Sequence, residues 1–197
     1  MQSVWWVFQD LWKKGLIYEG YKVVPYSTGI STSLSNFEAN SNYKQVQDPA
    51  ITVAFRLLQK PNTFILAWTT TPWTLPSNLA LALGKEIAYV QLHEKSTNKT
   101  YIVAEALVES VFKDLAKDPQ LAEIKPISVQ DLAGCRYEPL FPFFADKAEE
   151  GAFQIIFSDH VTTEAGTGIV HMAPAFGEDD YYACQKAGIP LVNPVDD

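Results

Sequence analysis

Two short polar clusters carry the residue types that could do chemistry in this chain. The first is WTTTPWTLPSN, residues 68–78, in which small hydroxyl and amide side chains follow an apolar, strand-like run. The second is GTGIVHMAPAFGEDDY, residues 166–181, which combines glycines, a histidine and an acidic triplet. Both lie where an apolar run gives way to a loop, a common position for binding and catalytic residues. Together they predict a small site that works through hydrogen bonds and charge.

Asp180 is the member of the acidic triplet that helical spacing directs inward. It shares a helix face with Ala183 and Cys184, whereas Asp179 falls on a polar face. A carboxylate removed from water needs a cation or several hydrogen-bond donors. A ligand ammonium group is therefore a candidate partner for Asp180. The alternative is a solvated helical turn that only complements the helix dipole.

The threonines and the histidine also admit two interpretations. Thr69, Thr70 and Thr71 could form a pocket wall whose hydroxyls orient water or ligand and whose methyl groups bound an aliphatic side chain. They could equally satisfy only their own backbone, as threonines in loops often do. His171 ends a short apolar strand, where it is either a hydrogen-bonded core residue or the end wall of a pocket.

Composition and missing motifs exclude several function classes. The net charge of -8 makes general nucleic-acid binding unfavourable, so a nucleic-acid partner must be held locally or by another part of a larger protein. The chain has no GxSxG nucleophile elbow, HExxH motif, phosphate-binding loop or complete dinucleotide fingerprint. No apolar run approaches the roughly 20 residues of a membrane span. We expect chemistry without a metal or a covalent nucleophile, and no membrane partner.

Apolar periodicity predicts a strand-rich chain with three helices. The helices are expected at residues 3–14, 105–118 and about 177–187. A strand pair or one broken strand is expected at 16–26. Strands are expected at 51–58, 62–69, 79–83, 87–94 and 99–104, with further strands between the last two helices. Residues 27–49 have little periodicity and are interpreted as an ordered connector. This spacing favours a barrel or a mixed sheet, and the tryptophans of the first helix predict a partner surface.

The two clusters together resemble the editing domain (CP1) of class I aminoacyl-tRNA synthetases, in the isoleucyl form. TTTPWTLPSN is similar to that form, whereas valyl and leucyl relatives carry arginine at the position of Thr71. VVPYSTGISTSLSNFEA, residues 23–39, resembles the segment that leads into this insertion in cytosolic eukaryotic-type enzymes. The resemblance covers nearly the whole chain, but the HIGH and KMSKS signatures of the aminoacylation site are absent from it.

The resemblance implies an α+β fold with a β-barrel-like core and peripheral helices. It implies that residues 1–48 connect to the catalytic core and that residues 49–197 form the editing domain. The implied activity is hydrolysis of mischarged Val-tRNA(Ile), with valyl-adenylate as a second candidate substrate and with isoleucine excluded by size. The implied partners are the 3′ end of aminoacylated tRNA(Ile) and the parent catalytic core, in the cytoplasm. Editing would need no cofactor, since ATP serves only the full-length synthetase.

The resemblance also assigns roles to residues of both clusters. Asp180 would pair with the α-ammonium of the aminoacyl group, and His171 would limit the size of its side chain. The catalytic set that it implies is Thr70, Thr71, His171 and Asp180. The substrate-binding set that it implies is Trp68, Thr69, Thr74, Asn78, Gly166, Thr167, Gly168, Ala173 and Phe176. A module that only binds the aminoacylated end, and a structural connector, stay open as alternatives.

Overall fold

The computed structural model describes residues 1–195, which fall into two compact units. One unit is Met1–Ser41, and the other begins at Asn42. The expected division after residue 48, into a connecting segment and an editing domain, is a statement about function and stays a prediction. No helix in the described part of the chain is long and apolar enough to cross a bilayer.

The first unit is built around α1, Gln2–Lys13, where the helix was expected. None of its residues is buried, and the side chains of Trp5 and Trp12 are 68% and 59% exposed. The rest of the unit contains the two-residue strands β1, Tyr26–Ser27, and β2, Thr32–Ser33, and the short helix α2, Asn36–Ala39.

The strand pair or broken strand expected at residues 16–26 is wrong except at Tyr26, which belongs to β1. Residues 16–25 form no regular element, and Tyr18 and Tyr21 are exposed. No strand among the described residues pairs with residues 16–25, so their apolar side chains have neither a ladder nor a core to stabilise them.

The second unit contains an eight-stranded mixed sheet. Its strands are β3 Ile51–Arg56, β4 Thr63–Thr69, β5 Ala80–Leu83, β6 Tyr89–Glu94, β7 Lys99–Ala104, β8 Ala122–Ile127, β9 Gln154–Phe157 and β10 Ile169–Met172. The order is β8-β6-β7-β4-β10-β5-β9, and β3 pairs with β4. All five strands expected between residues 51 and 104 are present. The sheet curls into a half-barrel, which confirms the expected α+β fold with a barrel-like core.

Strand β4 organises the sheet because it pairs with three others. Antiparallel β3 runs along one edge, whereas β7 and β10 share the other edge and both run parallel to β4. Its sequence TFILAWT is apolar at nearly every position, as expected for a strand covered on both faces. Pro72 follows closely, and the chain turns into a 3₁₀ helix at Pro72–Ser77.

Residues 135–138 connect the two far sides of the curled sheet. Next to the end of β3, the Leu58 N–H donates to the Arg136 carbonyl and the Glu138 N–H donates to the Arg56 carbonyl, both at 2.9 Å. On the other side, the Ile155 N–H of β9 donates to the Cys135 carbonyl at 2.9 Å. We call residues 135–138 the closing segment, because β3, β4, β10, β5 and β9 form a ring through it.

The helix expected at residues 105–118 is broken into three pieces. A 3₁₀ turn at Glu105–Leu107 leads into α3, Val108–Phe112, and a second 3₁₀ turn follows at Lys113–Ala116. Lys113 has φ +50°, which interrupts the helical hydrogen-bond ladder. The predicted apolar stripe still packs on the core, so tertiary packing decided the backbone path over helix propensity.

The remaining elements are short or helical. Two further 3₁₀ turns lie at Val129–Asp131 and Ala145–Glu150. The helix expected near residues 177–187 is confirmed as α4, Glu178–Lys186. Its buried face carries Cys184, while Asp179 is exposed, as the spacing predicted.

Gly168 enters β10 at a point where a side chain would not fit. Its φ is +71°, and an added Cβ would collide with the Cβ of Ala104. Gly134 has a similar φ of +68° but has open space where its Cβ would be. We expect Gly134→Ala to lower the free energy of unfolding by about 1 kcal/mol through backbone strain. Gly168→Ala should cost a further ~1–3 kcal/mol through overpacking.

Urea unfolding of both variants measures the difference. Equal losses for the two glycines would show that close packing against Ala104 adds nothing to the backbone strain.

Candidate functional site

Parallel pairing of β4 with β10 brings the two polar clusters together. Trp68 near the end of β4 pairs with Val170 of β10. Because the two strands run in the same direction, Thr69 and His171 follow on neighbouring strands at the same end of the sheet. The turn after β10 then leads into α4, which carries Asp180 in its first turn.

The clusters enclose a cavity of about 410 Å³. This volume suits a small ligand. Its lining includes these predicted site residues: Trp68, Thr69, Thr70, Thr71, Thr74, His171, Ala173, Phe176 and Asp180. Trp73, Val170 and Gly177 also line it. The two clusters therefore face one another across a single space.

Both interpretations of the threonines hold, for different residues. Thr69 accepts the Thr71 N–H at 3.0 Å, and the Thr74 hydroxyl donates to the Thr71 carbonyl at 2.8 Å. These two side chains are buried and stabilise the loop. The Thr70 hydroxyl takes part in none of the side-chain hydrogen bonds of the described residues, and Thr70 is exposed on the cavity wall. Thr70 is thus the hydroxyl most available to a ligand or a water.

His171 has both ring nitrogens engaged. The Asn78 side-chain amide donates to the Ala80 carbonyl at 2.9 Å, which fixes its Nδ2 on that side. The same Nδ2 lies 3.1 Å from His171 Nδ1, which must then be an acceptor. The proton of the neutral ring is therefore on Nε2, which donates to the Thr74 hydroxyl oxygen at 2.7 Å.

Burial makes His171 a poor proton acceptor. The side chain is 6% exposed, and desolvation lowers the pKa of His171 to about 4. A neutral imidazole with both nitrogens engaged cannot take a proton from water at neutral pH without breaking this arrangement. The geometry therefore suits His171 to shaping the cavity wall and orienting neighbours.

Asp180 is a half-buried carboxylate with one donor from the protein. The Ala173 N–H donates to its Oδ2 at 2.8 Å. Burial raises the pKa of Asp180 above its ordinary value, and this hydrogen bond only partly offsets the rise. No salt bridge of the described residues includes Asp180. The carboxylate therefore has capacity for a cationic ligand group in the cavity.

Four predicted residues do not line this cavity. Asn78 is buried behind His171, which it positions. Thr167 and Gly168 line a neighbouring cavity of about 190 Å³, which shares Trp68 and Val170 with the first. Gly166 packs against Trp68, since an added Cβ would lie 2.8 Å from the indole. Close packing accounts for both glycines without a ligand.

Four residues at the site were missed from the sequence: Val170 and Gly177, which belong to the second cluster, and Trp73 and Tyr137. Trp73 is 62% exposed and lines the cavity, and its place in the first cluster was the signal that could have identified it. Tyr137 lies in the closing segment and donates its hydroxyl proton to Asn78 Oδ1 at 2.7 Å. No local motif marks Tyr137, because only the closure of the barrel brings it to Asn78.

The chain resembles known proteins along its whole length. Residues 1–133 match the family model "tRNA synthetases class I (I, L, M and V)". All of the chain aligns with the isoleucine–tRNA ligase of Bdellovibrio bacteriovorus at 68% identity and with the cytoplasmic isoleucine–tRNA ligase of Saccharomyces cerevisiae at 47%. The chain spans only 18% and 19% of those two proteins.

A solved structure supports the fold. The chain is similar to GlLeuRS-CP1, with a TM-score of 0.53 and 18% sequence identity, over 73% of this chain and 66% of that one. At this identity the likeness establishes the shared architecture alone.

The depressed pKa of His171 predicts a loss of stability in acid. The unfolded chain takes up a proton near pH 6.5, whereas folded His171 does so only near pH 4. The free energy of unfolding should therefore fall as the pH drops from 6.5 to 4, by about 3 kcal/mol from this residue. Asp180 opposes this trend, because a raised carboxyl pKa favours the folded state as the pH falls.

Urea titrations across this pH range check the sign. His171→Asn should flatten the decline, and Asp180→Asn should steepen it. Equal slopes in wild type and His171→Asn would contradict the assignment to His171.

Proposed function

This chain belongs to the class I tRNA synthetases of the isoleucine, leucine, methionine and valine group, and we propose that it is a hydrolytic editing domain of isoleucyl type. Its substrate is valine esterified to the 3′ end of tRNA(Ile), and valyl-adenylate is a second possible substrate. The products of ester hydrolysis are free valine and uncharged tRNA. Aminoacylation itself belongs to the remainder of a longer synthetase.

One observation carries this proposal. The carboxylate of Asp180 faces the cavity without a cation from the protein, opposite a wall of neutral hydroxyls. An aminoacyl ester offers the complementary groups, because its α-ammonium is positive and its side chain is small and apolar. A charge-assisted hydrogen bond from ammonium to carboxylate is strong when partly desolvated. It would also lower the pKa that burial has raised in Asp180.

Catalysis would come chiefly from positioning. With the ammonium held by Asp180, the ester carbonyl lies between that anchor and the threonine wall. A water oriented by Thr70 or Thr71 attacks the carbonyl carbon, the bond to the ribose oxygen breaks, and that oxygen takes up the proton that the water releases. Holding reactants in the attack geometry supplies a large rate effect without a strong base. His171 keeps its proton and serves as a wall.

Exclusion of isoleucine would complete a double sieve. The aminoacylation site of a synthetase can discriminate isoleucine from valine by only about 1–3 kcal/mol of binding free energy, the worth of one methylene group. The isoleucyl enzyme is itself the standard example of this limit. The editing site must then refuse the larger side chain. Thr69, Thr74 and His171 are buried residues of the cavity wall, so this wall resists displacement by an extra methylene.

The partners follow from the surface. With a net charge of -8, this chain would hold only the last nucleotides of tRNA and would bind tRNA weakly by itself. The exposed tryptophans of α1 would contact the catalytic core of the parent synthetase. Editing would use no metal and no cofactor, and ATP would serve only the aminoacylation reaction.

Binding of a non-hydrolysable valyl-adenosine mimic tests the site directly. Calorimetry should show the valyl mimic binding more tightly than the isoleucyl mimic. Asp180→Asn should weaken valyl binding about 10–100-fold, the worth of one charge-assisted hydrogen bond. Asp179→Asn is the matched control, because it removes the same charge from the exposed side of the same helical turn.

Several outcomes would overturn the proposal. Equal affinity for the valyl and isoleucyl mimics would show that the site does not select by side-chain size. Equal losses of affinity in Asp180→Asn and Asp179→Asn would show that Asp180 acts only through the net charge. Binding of the valyl mimic without hydrolysis of Val-tRNA(Ile) would leave a binding module.

A further inference from the structure

A series of buried hydrogen bonds lies behind the cavity, and the hydroxyl of Tyr137 is the member of this series that is farthest from the cavity. Tyr137 is fully buried, and its ring packs edge-on against Phe55 and Phe153, with ring centroids 5.2 Å and 6.1 Å away. Its hydroxyl lies 2.7 Å from Asn78 Oδ1. An amide oxygen only accepts hydrogen bonds, so the tyrosine must be the donor.

The Ala80 carbonyl, which accepts from Asn78 Nδ2, and the Tyr137 hydroxyl, which donates to Asn78 Oδ1, together set the direction of every later bond. With Oδ1 accepting from Tyr137, the Asn78 amide presents its two N–H groups to the Ala80 carbonyl and to His171 Nδ1. His171 then donates from Nε2 to Thr74, and Thr74 donates to the Thr71 carbonyl. The donors of this series of hydrogen bonds therefore all point the same way, from Tyr137 in the closing segment to the threonine wall of the cavity.

We propose that Tyr137 is a positioning residue that acts through Asn78 to hold His171 in its Nε2–H tautomer and the Thr74 hydroxyl proton on the Thr71 carbonyl. The importance of Tyr137 for editing rests on the function proposed above, but its control of the tautomer does not. With Thr74 committed to the loop, the wall presents Thr70 and Thr71 to the substrate in one fixed pattern of donors and acceptors.

Burial makes the hydrogen bonds of Asn78 and His171 hard to replace. Asn78 is 4% exposed and His171 is 6% exposed, so a lost partner is not replaced by bulk water. Without the tyrosine hydroxyl, Oδ1 would be a buried acceptor with no partner, and only the Ala80 carbonyl would still hold the amide in its orientation. In the fraction of molecules with a rotated amide, His171 Nδ1 would face an oxygen and would carry the ring proton.

Tyr137→Phe is the primary variant, because it keeps the ring and removes only the hydroxyl. Nitrogen-15 NMR of this chain with labelled histidine should show only the Nε2–H form of His171 in wild type. In Tyr137→Phe we expect a mixture of the two tautomers. Hydrolysis of Val-tRNA(Ile) should show kcat reduced roughly tenfold, because the threonine wall would no longer hold the reacting groups in one geometry. KM should be nearly unchanged, because Asp180 is intact.

Tyr89→Phe is the matched control. Tyr89 is 2% exposed, and its hydroxyl donates to the Gly168 carbonyl at 2.8 Å and accepts the Gly84 N–H at 3.0 Å, outside this chain of bonds. It therefore loses a buried hydroxyl of the same kind. The NMR signature of His171 should be the same in Tyr89→Phe as in wild type.

Asn78→Asp tests the direction of the chain if Tyr137→Phe does not fold. A carboxylate can still accept from Tyr137, but it cannot donate to His171. His171 Nδ1 should then be protonated, because it faces a carboxylate that only accepts. An unprotonated Nδ1 in Asn78→Asp would overturn the proposal.

The remaining outcomes are also decisive. A single Nε2–H tautomer and wild-type kcat in folded Tyr137→Phe would overturn the proposal, as would an equal disturbance of His171 in Tyr89→Phe. If the wild-type chain does not hydrolyse Val-tRNA(Ile), the proposed function fails, and the tautomer measurements still decide the role of Tyr137.

Discussion

The pairing of Val170 with Trp68 is the contact on which the site depends. It places two segments about a hundred residues apart on adjacent parallel strands, so that both polar clusters leave the sheet at the same end. A slip of one residue would turn each side chain to the opposite face of the sheet. Glycine packing protects the arrangement, because Gly166 lies against Trp68 and Gly168 against Ala104. The glycines thus fix the strand that carries His171.

The buried hydrogen bonds that run from Tyr137 to Thr74 hold the side chains of the cavity wall in one arrangement. Each member from Tyr137 to Thr74 has a partner, so the chain stabilises one arrangement and not several. The same burial that lowers the pKa of His171 removes it from acid–base chemistry. Asp180 is different, because its carboxylate faces the cavity with a single backbone donor. The cavity therefore combines a rigid neutral wall with one charge that is left for the ligand.

The sequence was most informative where a pattern is local. The threonines 69–71, His171 and the inward face of α4 could be predicted from residue types and spacing alone. Trp68, Thr74, Ala173 and Phe176 were predicted only through the resemblance. The strand spacing favoured a barrel or a mixed sheet, and the resemblance implied the barrel-like core. Local patterns failed where distant contacts decide the backbone. The helix interruption at Lys113 follows from packing against the sheet, and residues 16–25 lack the partner strand that a strand there would need. The role of Tyr137 could not be predicted for the same reason, because only the fold of the closing segment brings its hydroxyl to Asn78.

The position of β8 at one end of the strand order has a consequence for solubility. An outer strand offers unpaired backbone groups to any other chain, and such strands commonly seed aggregation. Here Pro126 lacks an N–H, and Glu123 and Lys125 form a salt bridge of 2.9 Å on the same strand. A proline and paired charges make the strand a poor template for a neighbouring copy. The sheet can thus end in water without recruiting a second molecule into an intermolecular ladder.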